Sequence, residues 1–103
     1  SDFMNPSTFI KQPWEQRQIA IDFSDSLSPG DSISSINSVT AWLDGVDKSG
    51  DIIYGTPYVT ANKVYVVLMG GISGLTYDIR LRVGSTNGDL IEDDLSLAVH
   101  EKR

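Results

Sequence analysis

Few side chains in this sequence could do covalent or proton-transfer chemistry, and they are scattered. There is one histidine, His100, and no cysteine. A nucleophile–base pair needs a Ser or Cys beside an imidazole and an acid that orients it. The serines here stand among turn formers, and none occupies a nucleophile elbow. His100 closes an alternating segment on its outward phase, so it reads as an exposed strand-end histidine. Carboxylates cluster twice, as the run Glu92-Asp93-Asp94 and as Asp44, Asp47 and Asp51 in one polar stretch. Asp47-Lys48-Ser49-Gly50-Asp51 lacks the spacing and the closing Glu of a calcium-binding loop, and it reads as a solvated acidic loop. A paired-carboxylate glycosidase needs a cleft between its two acids, and a chain this small offers little of one. Gly70-Gly71-Ile72-Ser73-Gly74 is glycine-rich, but it leads into a strand pattern rather than the helix N-terminus that cradles a phosphate. The expectation is no catalytic residue, no metal and no cofactor.

Aromatic residues are the stronger lead, because Trp and Tyr anchor protein interfaces. Trp14 sits between Pro13 and Glu15 in a stretch without periodicity. There it either staples that stretch to the domain or anchors a partner. Tyr54 and Tyr58 flank Gly55-Thr56-Pro57 and form a second patch suited to protein contact or sugar stacking. Trp42 lies in an apolar stretch and reads as a core residue. The expected partner-binding residues are Pro13, Trp14, Glu15, Tyr54 and Tyr58.

The elements that position them follow a period of two. Ile19, Ile21 and Phe23 share one face of a half-buried strand. Ser24–Asp31 is dense in turn formers, with Pro29-Gly30 suited to the centre of a type II turn. Ser32–Leu43 is another strand whose two apolar phases require a bulge or a change of sheet. Asp44–Asp51 is a polar loop, Ile52–Tyr54 a short strand, and Gly55-Thr56-Pro57 a break. Tyr58–Thr60 and Val64–Met69 flank a hairpin connection at Ala61-Asn62-Lys63. Tyr77, Ile79, Leu81 and Val83 alternate with Asp78, Arg80 and Arg82. Asn87-Gly88 then signals a type I′ hairpin, and Leu95, Leu97 and Val99 form the last strand. About seven short strands without a helical pattern predict an all-β, two-sheet antiparallel sandwich of the immunoglobulin-like or fibronectin type. Residues 1–15 read as an extended N-terminal arm and 16–103 as the sandwich. Ser1-Asp2-Phe3 precede Met4 and read as a cloning remnant with no role.

At 103 residues the chain is one domain's worth. Eight Lys and Arg face fourteen Asp and Glu, a formal net charge of −6. That balance argues against nucleic acid and anionic membrane as partners, since both require a concentrated positive face. No run reaches the roughly 18–20 apolar residues of a spanning helix, and no signal peptide is visible.

Ile72-Ser73-Gly74-Leu75-Thr76-Tyr77 resembles the tyrosine corner of immunoglobulin-like and fibronectin-type domains, in which a strand-opening Tyr bonds back to upstream backbone. Gly74 would permit the close approach, and Tyr77 would supply the hydroxyl. The order Lys11-Gln12-Pro13-Trp14-Glu15, Ile21-Asp22-Phe23-Ser24, Gly30-Asp31-Ser32-Ile33, Gly74-Leu75-Thr76-Tyr77 and Gly84-Ser85-Thr86-Asn87-Gly88-Asp89 spans nearly the whole chain. It resembles the small immunoglobulin-like structural proteins of tailed phages and prophages, of the head-tail or fibre-tail adaptor type. The resemblance implies a non-catalytic virion structural protein of the neck, tail or capsid surface. Such a protein is made in the bacterial cytoplasm, assembles with other virion proteins, and can form a homo-oligomer in the particle. The resemblance carries fold positions and no site residue. The alternative reading is a carbohydrate- or cell-surface-binding β-sandwich module.

Overall fold

Alternating apolar and polar residues build the framework, because a strand with one buried face must repeat every second residue. In the computed structural model, which describes residues 7–102, that pattern yields eight strands. They are β1 (Ser7–Lys11), β2 (Arg17–Asp22), β3 (Ile33–Leu43), β4 (Val46–Asp47), β5 (Ile53–Thr60), β6 (Lys63–Leu68), β7 (Thr76–Ser85) and β8 (Leu90–Val99). A single helical turn, α1 (Ser49–Ile52), separates β4 from β5. One sheet has the order β1-β8-β7-β3-β4 and the other β2-β6-β5. Every pairing is antiparallel except β1 with β8, which runs parallel in the register Ser7↔Leu95 to Lys11↔Val99. This is an immunoglobulin-like sandwich.

The core lies between the sheets. Val64, Val66 and Leu68 of β6 face Ala41 of β3, Ile79, Leu81 and Val83 of β7, and Leu97 and Val99 of β8, all buried. Burying a side chain of this size contributes about 1.5–3 kcal/mol each, which is ample for a domain without disulfide or metal. Register shifts between Ile33/Ser35 and Ile36/Ser38 turn both Ile36 and Val39 toward that core. They resolve the two apolar phases of the β3 sequence.

Several local readings change. The segment read as an arm, residues 1–15, carries β1, because Phe9 packs against the core and Lys11 is buried; residues 1–6, including Ser1–Phe3, lie outside the described residues. Trp42 is not a core residue. Ala41 takes the inward position, and Trp42 turns to the outer face, where Arg80 lies 5.6 Å from its ring centroid and its indole N–H donates to Thr40 Oγ1 at 2.9 Å. Gly55-Thr56-Pro57 does not end a strand; it is absorbed as a register shift within β5.

The turns also redistribute. Asp44 and Gly45 (φ +49° and +80°) and Ala61 and Asn62 (φ +51° and +63°) form two-residue connections with both central residues left-handed, the type I′ requirement. At Asn87-Gly88 only Gly88 is left-handed, at +94°. Gly88 N–H donates to Ser85 C=O and Ser85 N–H to Asp89 C=O, so Thr86-Asn87 form a type I turn closed by Gly88.

Candidate protein-docking site

One end of the sandwich gathers the end of β1, the start of β2, the end of β6, the start of β7 and the end of β8, as the pairs Lys11↔Val99, Arg17↔Leu68 and Thr76↔Ala98 require. The chain crosses there from the large sheet to the small one through Gln12–Gln16. The crossing is tightly specified. Glu15 N–H donates to Gln12 C=O at 3.1 Å, and the Glu15 carboxylate accepts from Gln12 N–H at 2.7 Å. Below it lies Lys11, only 1% exposed. Its ammonium donates to the carbonyls of Gln12 at 2.7 Å, Pro13 at 3.4 Å and Gly70 across the domain. Burial pulls the Lys11 pKa below that of a free lysine, and the Glu15 carboxylate opposes the shift. Three carbonyls make the buried cation tolerable, and the cation in turn satisfies carbonyls that no strand could pair.

The opposing loop is equally constrained. A Cβ on Gly70 would fall 2.8 Å from the Asp51 carbonyl oxygen, and one on Gly71 would fall 2.6 Å from Val99 Cγ2. Ile72 N–H donates to Tyr77 Oη at 3.1 Å, and Gly74 N–H donates to Val99 C=O at 2.8 Å. The C-terminal residues join the same network: His100 N–H donates to Lys11 C=O, Glu101 N–H to Ser73 Oγ, and Lys102 N–H to Gln12 Oε1.

From this rigid base two large apolar side chains project, Trp14 at 95% exposure and Ile72 at 63%. Trp14 does not staple the N-terminal segment to the domain. Arg17 closes the gap between β1 and β2 instead, stacking 5.5 Å from the Phe9 ring centroid.

Tyr54 and Tyr58 lie on another surface, the outer face of the small sheet. Tyr54 pairs with Val67 and Tyr58 with Tyr65, and the buried residues of β6 alternate with that pair, so all four face outward. The Tyr58 and Tyr65 rings stack at 4.9 Å with 9° between planes. Ala20, opposite Tyr65, continues the face. Tyr54 lies one row in from the end of the sheet beside the Trp14 crossing, since Gln18 and Tyr54 both pair with Val67 and Arg17 and Ile53 with Leu68. Sequence reasoning missed Tyr65 and Val67, although the alternation of β6 carried them. It also missed Lys11, for which no pattern exists.

The outer face of the large sheet is different. Arg82 Nε lies 2.8 Å from Glu92, and Arg80 Nε lies 3.6 Å from Asp94 and 3.9 Å from Glu92. Hydrogen bonding to Arg82 holds Glu92 below the usual carboxylate range. Burial and the neighbouring Glu92 raise Asp94. Asp47, just before the α1 turn, accepts from Ser49 N–H at 2.8 Å and Ser49 Oγ at 2.6 Å. His100 is exposed at the end of β8. Among the described residues no group of three or more His, Cys, Asp or Glu side chains is placed to hold a metal ion. No helix there is long and apolar enough to cross a membrane.

No curated protein matches the chain. A family model does: that of the podophage GP4 fiber-tail adaptor protein gp77 matches residues 11–99, from the buried lysine at the end of β1 to the last residue of β8. The chain belongs to this family of phage tail-adaptor structural proteins.

Proposed function

We propose that this chain is a non-catalytic structural protein of a phage or prophage virion that docks other virion proteins at the neck, tail or capsid surface. It is made in the bacterial cytoplasm and joins a symmetric assembly in the particle. The observation that carries this reading is Trp14, 95% exposed on a turn fixed by a buried ammonium and two Gln12–Glu15 hydrogen bonds. A large apolar side chain held ready on rigid backbone loses little entropy when a partner covers it. Pro13 and Glu15 shape the same turn, and Tyr54 and Tyr58 supply a second apolar surface beside it. The net charge of −6 keeps the free subunit soluble and disfavours nucleic acid or anionic lipid as partner.

The carbohydrate-binding alternative draws less support. Sugar platforms present free ring faces, whereas Tyr58 and Tyr65 turn a face of each ring to one another. Quantitative mass spectrometry of purified particles tests the proposal. A fixed copy number per particle, set by the symmetry of a ring, is the expected result. Absence from particles would overturn it and make glycan binding the leading reading. Removing residues 1–15 is a poor test, because it strips β1 and the Lys11 ammonium from the domain; Trp14→Ala leaves both in place.

A further inference from the structure

Asn87 alone among the asparagines precedes a glycine, and both residues are exposed between β7 and β8. That dipeptide is prone to a reaction with itself. The Gly88 nitrogen attacks the Asn87 side-chain carbonyl carbon, the new C–N bond closes a cyclic imide, and the amide nitrogen leaves as ammonia. Water then opens the imide at either carbonyl and leaves aspartate or isoaspartate. A following glycine favours the attack, because no Cβ shields the nitrogen and the backbone turns freely. Asn37 and Asn62 are followed by Ser38 and Lys63. Their side chains are also engaged: Asn37 Oδ1 accepts from Ser35 Oγ at 2.8 Å and Asn62 Oδ1 from Ile33 N–H at 3.0 Å.

The fold withholds the attacking nitrogen. Attack needs a free Gly88 N–H and an Asn87–Gly88 peptide plane swung toward the Asn87 side chain. In the turn, Gly88 N–H donates to Ser85 C=O at 3.0 Å. A type I turn also sets ψ of its second central residue at about 0°, which aims the next nitrogen back across the turn rather than at its own neighbour's side chain. Both flanks of the plane are tied. Asn87 N–H donates to Asp31 Oδ1 at 3.1 Å, and Thr86 N–H donates to Ser32 C=O at 2.8 Å. On the other side Asp89 N–H donates to Ser85 Oγ at 3.0 Å. The grip on Asn87 itself therefore comes from Asp31, a residue 56 positions away in the chain and 8% exposed.

We propose that Asn87 is a site of spontaneous deamidation that Asp31 keeps closed. The reaction passes through local opening of the loop, in which Asn87 leaves Asp31 and Gly88 leaves Ser85. Once complete it does not reverse. Isoaspartate lengthens the backbone within a two-residue turn, and either product adds a carboxylate to a loop already built around that of Asp31, so the modified loop stays open. The site lies at the opposite end of the sandwich from the Trp14 crossing and is independent of the docking role proposed there.

Incubation of the full chain at mildly alkaline pH tests this, with mass spectrometry following the amide-to-acid conversion at residue 87. An acetylated and amidated peptide of residues 85–89 gives the unrestrained rate. The folded chain should react at least roughly tenfold more slowly, because opening breaks several hydrogen bonds, and urea should abolish the difference. Asp31→Ala, and more mildly Asp31→Asn, should move the folded rate toward that of the peptide. Tyr77→Phe, which loosens the corner at the other end, should leave it unchanged at temperatures where every variant is folded by circular dichroism. Exchange of the Gly88 amide in the unsubstituted chain reads the same opening without any substitution, and it should be slowed as well. A folded chain that deamidates at the peptide rate, a Gly88 amide that exchanges at the free rate, or Asp31 variants no faster than Tyr77→Phe would each overturn the proposal.

Discussion

The two ends of the sandwich solve one problem with opposite charges. At the Trp14 end, strands stop and leave carbonyls facing inward, and the buried Lys11 ammonium collects those of Gln12, Pro13 and Gly70. At the other end, turns leave N–H groups facing inward, and Asp31, 8% exposed, collects them. Its Oδ1 accepts from Ser32 N–H at 2.8 Å and Asn87 N–H at 3.1 Å. The nearby Ser85 hydroxyl and these backbone N–H groups hold its carboxyl below the usual range, while its Oδ2 is buried without a hydrogen-bond partner. Thr86 N–H completes that end by donating to Ser32 C=O at 2.8 Å. What the ends display differs. The Asp31 end carries polar tips at Asn87, Gly88 and Asp89, whereas the Lys11 end carries Trp14 and Ile72. Both ends are tied down by hydrogen bonds and the Asp31 end shows Leu90, but the exposed aromatic Trp14 stands at the Lys11 end, which is why the proposed docking surface is placed there.

The comparison can be broken first at Lys11. Lys11→Met keeps the aliphatic stem but strands the Gln12 and Gly70 carbonyls, with an expected loss of about 3 kcal/mol in chemical denaturation. A loss below about 1 kcal/mol would mean that water replaces the ammonium freely. Gly71→Ala comes next, at about 2 kcal/mol, because its Cβ meets Val99 and its φ is +91°. Tyr77→Phe removes the acceptor for Ile72 N–H and should cost about 0.5–1.5 kcal/mol; an unchanged melting curve would dismiss the corner as a stabilising element.

Asp31 sharpens the contrast through pH. Its folded pKa lies below the unfolded one, so its contribution is present above the carboxylate range and is lost as the pH falls through it. Asp22, Asp47 and Glu92 shift the same way and Asp94 the opposite way, so acid destabilises the domain on balance. Asp31→Asn should lower stability at neutral pH and flatten the acid limb of the stability curve. A limb as steep as that of the unsubstituted chain would remove Asp31 from the account.

How far the sequence revealed this depended on whether a residue signals through its neighbours in the chain. Period-two alternation made β2, β6, β7 and β8 legible, and with them the sandwich. Trp42 faces outward rather than into the core because β3 bulges twice, and a bulge shifts the inward phase without leaving a mark in composition. Asn87-Gly88 predicts a type I′ turn, but Asp31 and Ser32 capture the loop one residue earlier, through Asn87 N–H and Thr86 N–H. The true two-residue turns are Asp44-Gly45, hidden in an acidic stretch, and Ala61-Asn62, where alanine is an improbable left-handed residue. Trp14 stands out in the sequence as an aromatic with two readings, staple or partner anchor. Its exposure follows from Lys11 and Gly70, 59 residues apart in the chain, a pairing that no local pattern encodes.

The central claim is that the Lys11-supported end exists to present Trp14 to another virion protein. It is tested most directly by following the incorporation of Trp14→Ala into particles, alongside its melting temperature. The account predicts a stability change within about 0.5 kcal/mol and loss of the protein from particles. A variant that incorporates at the unsubstituted copy number would contradict it.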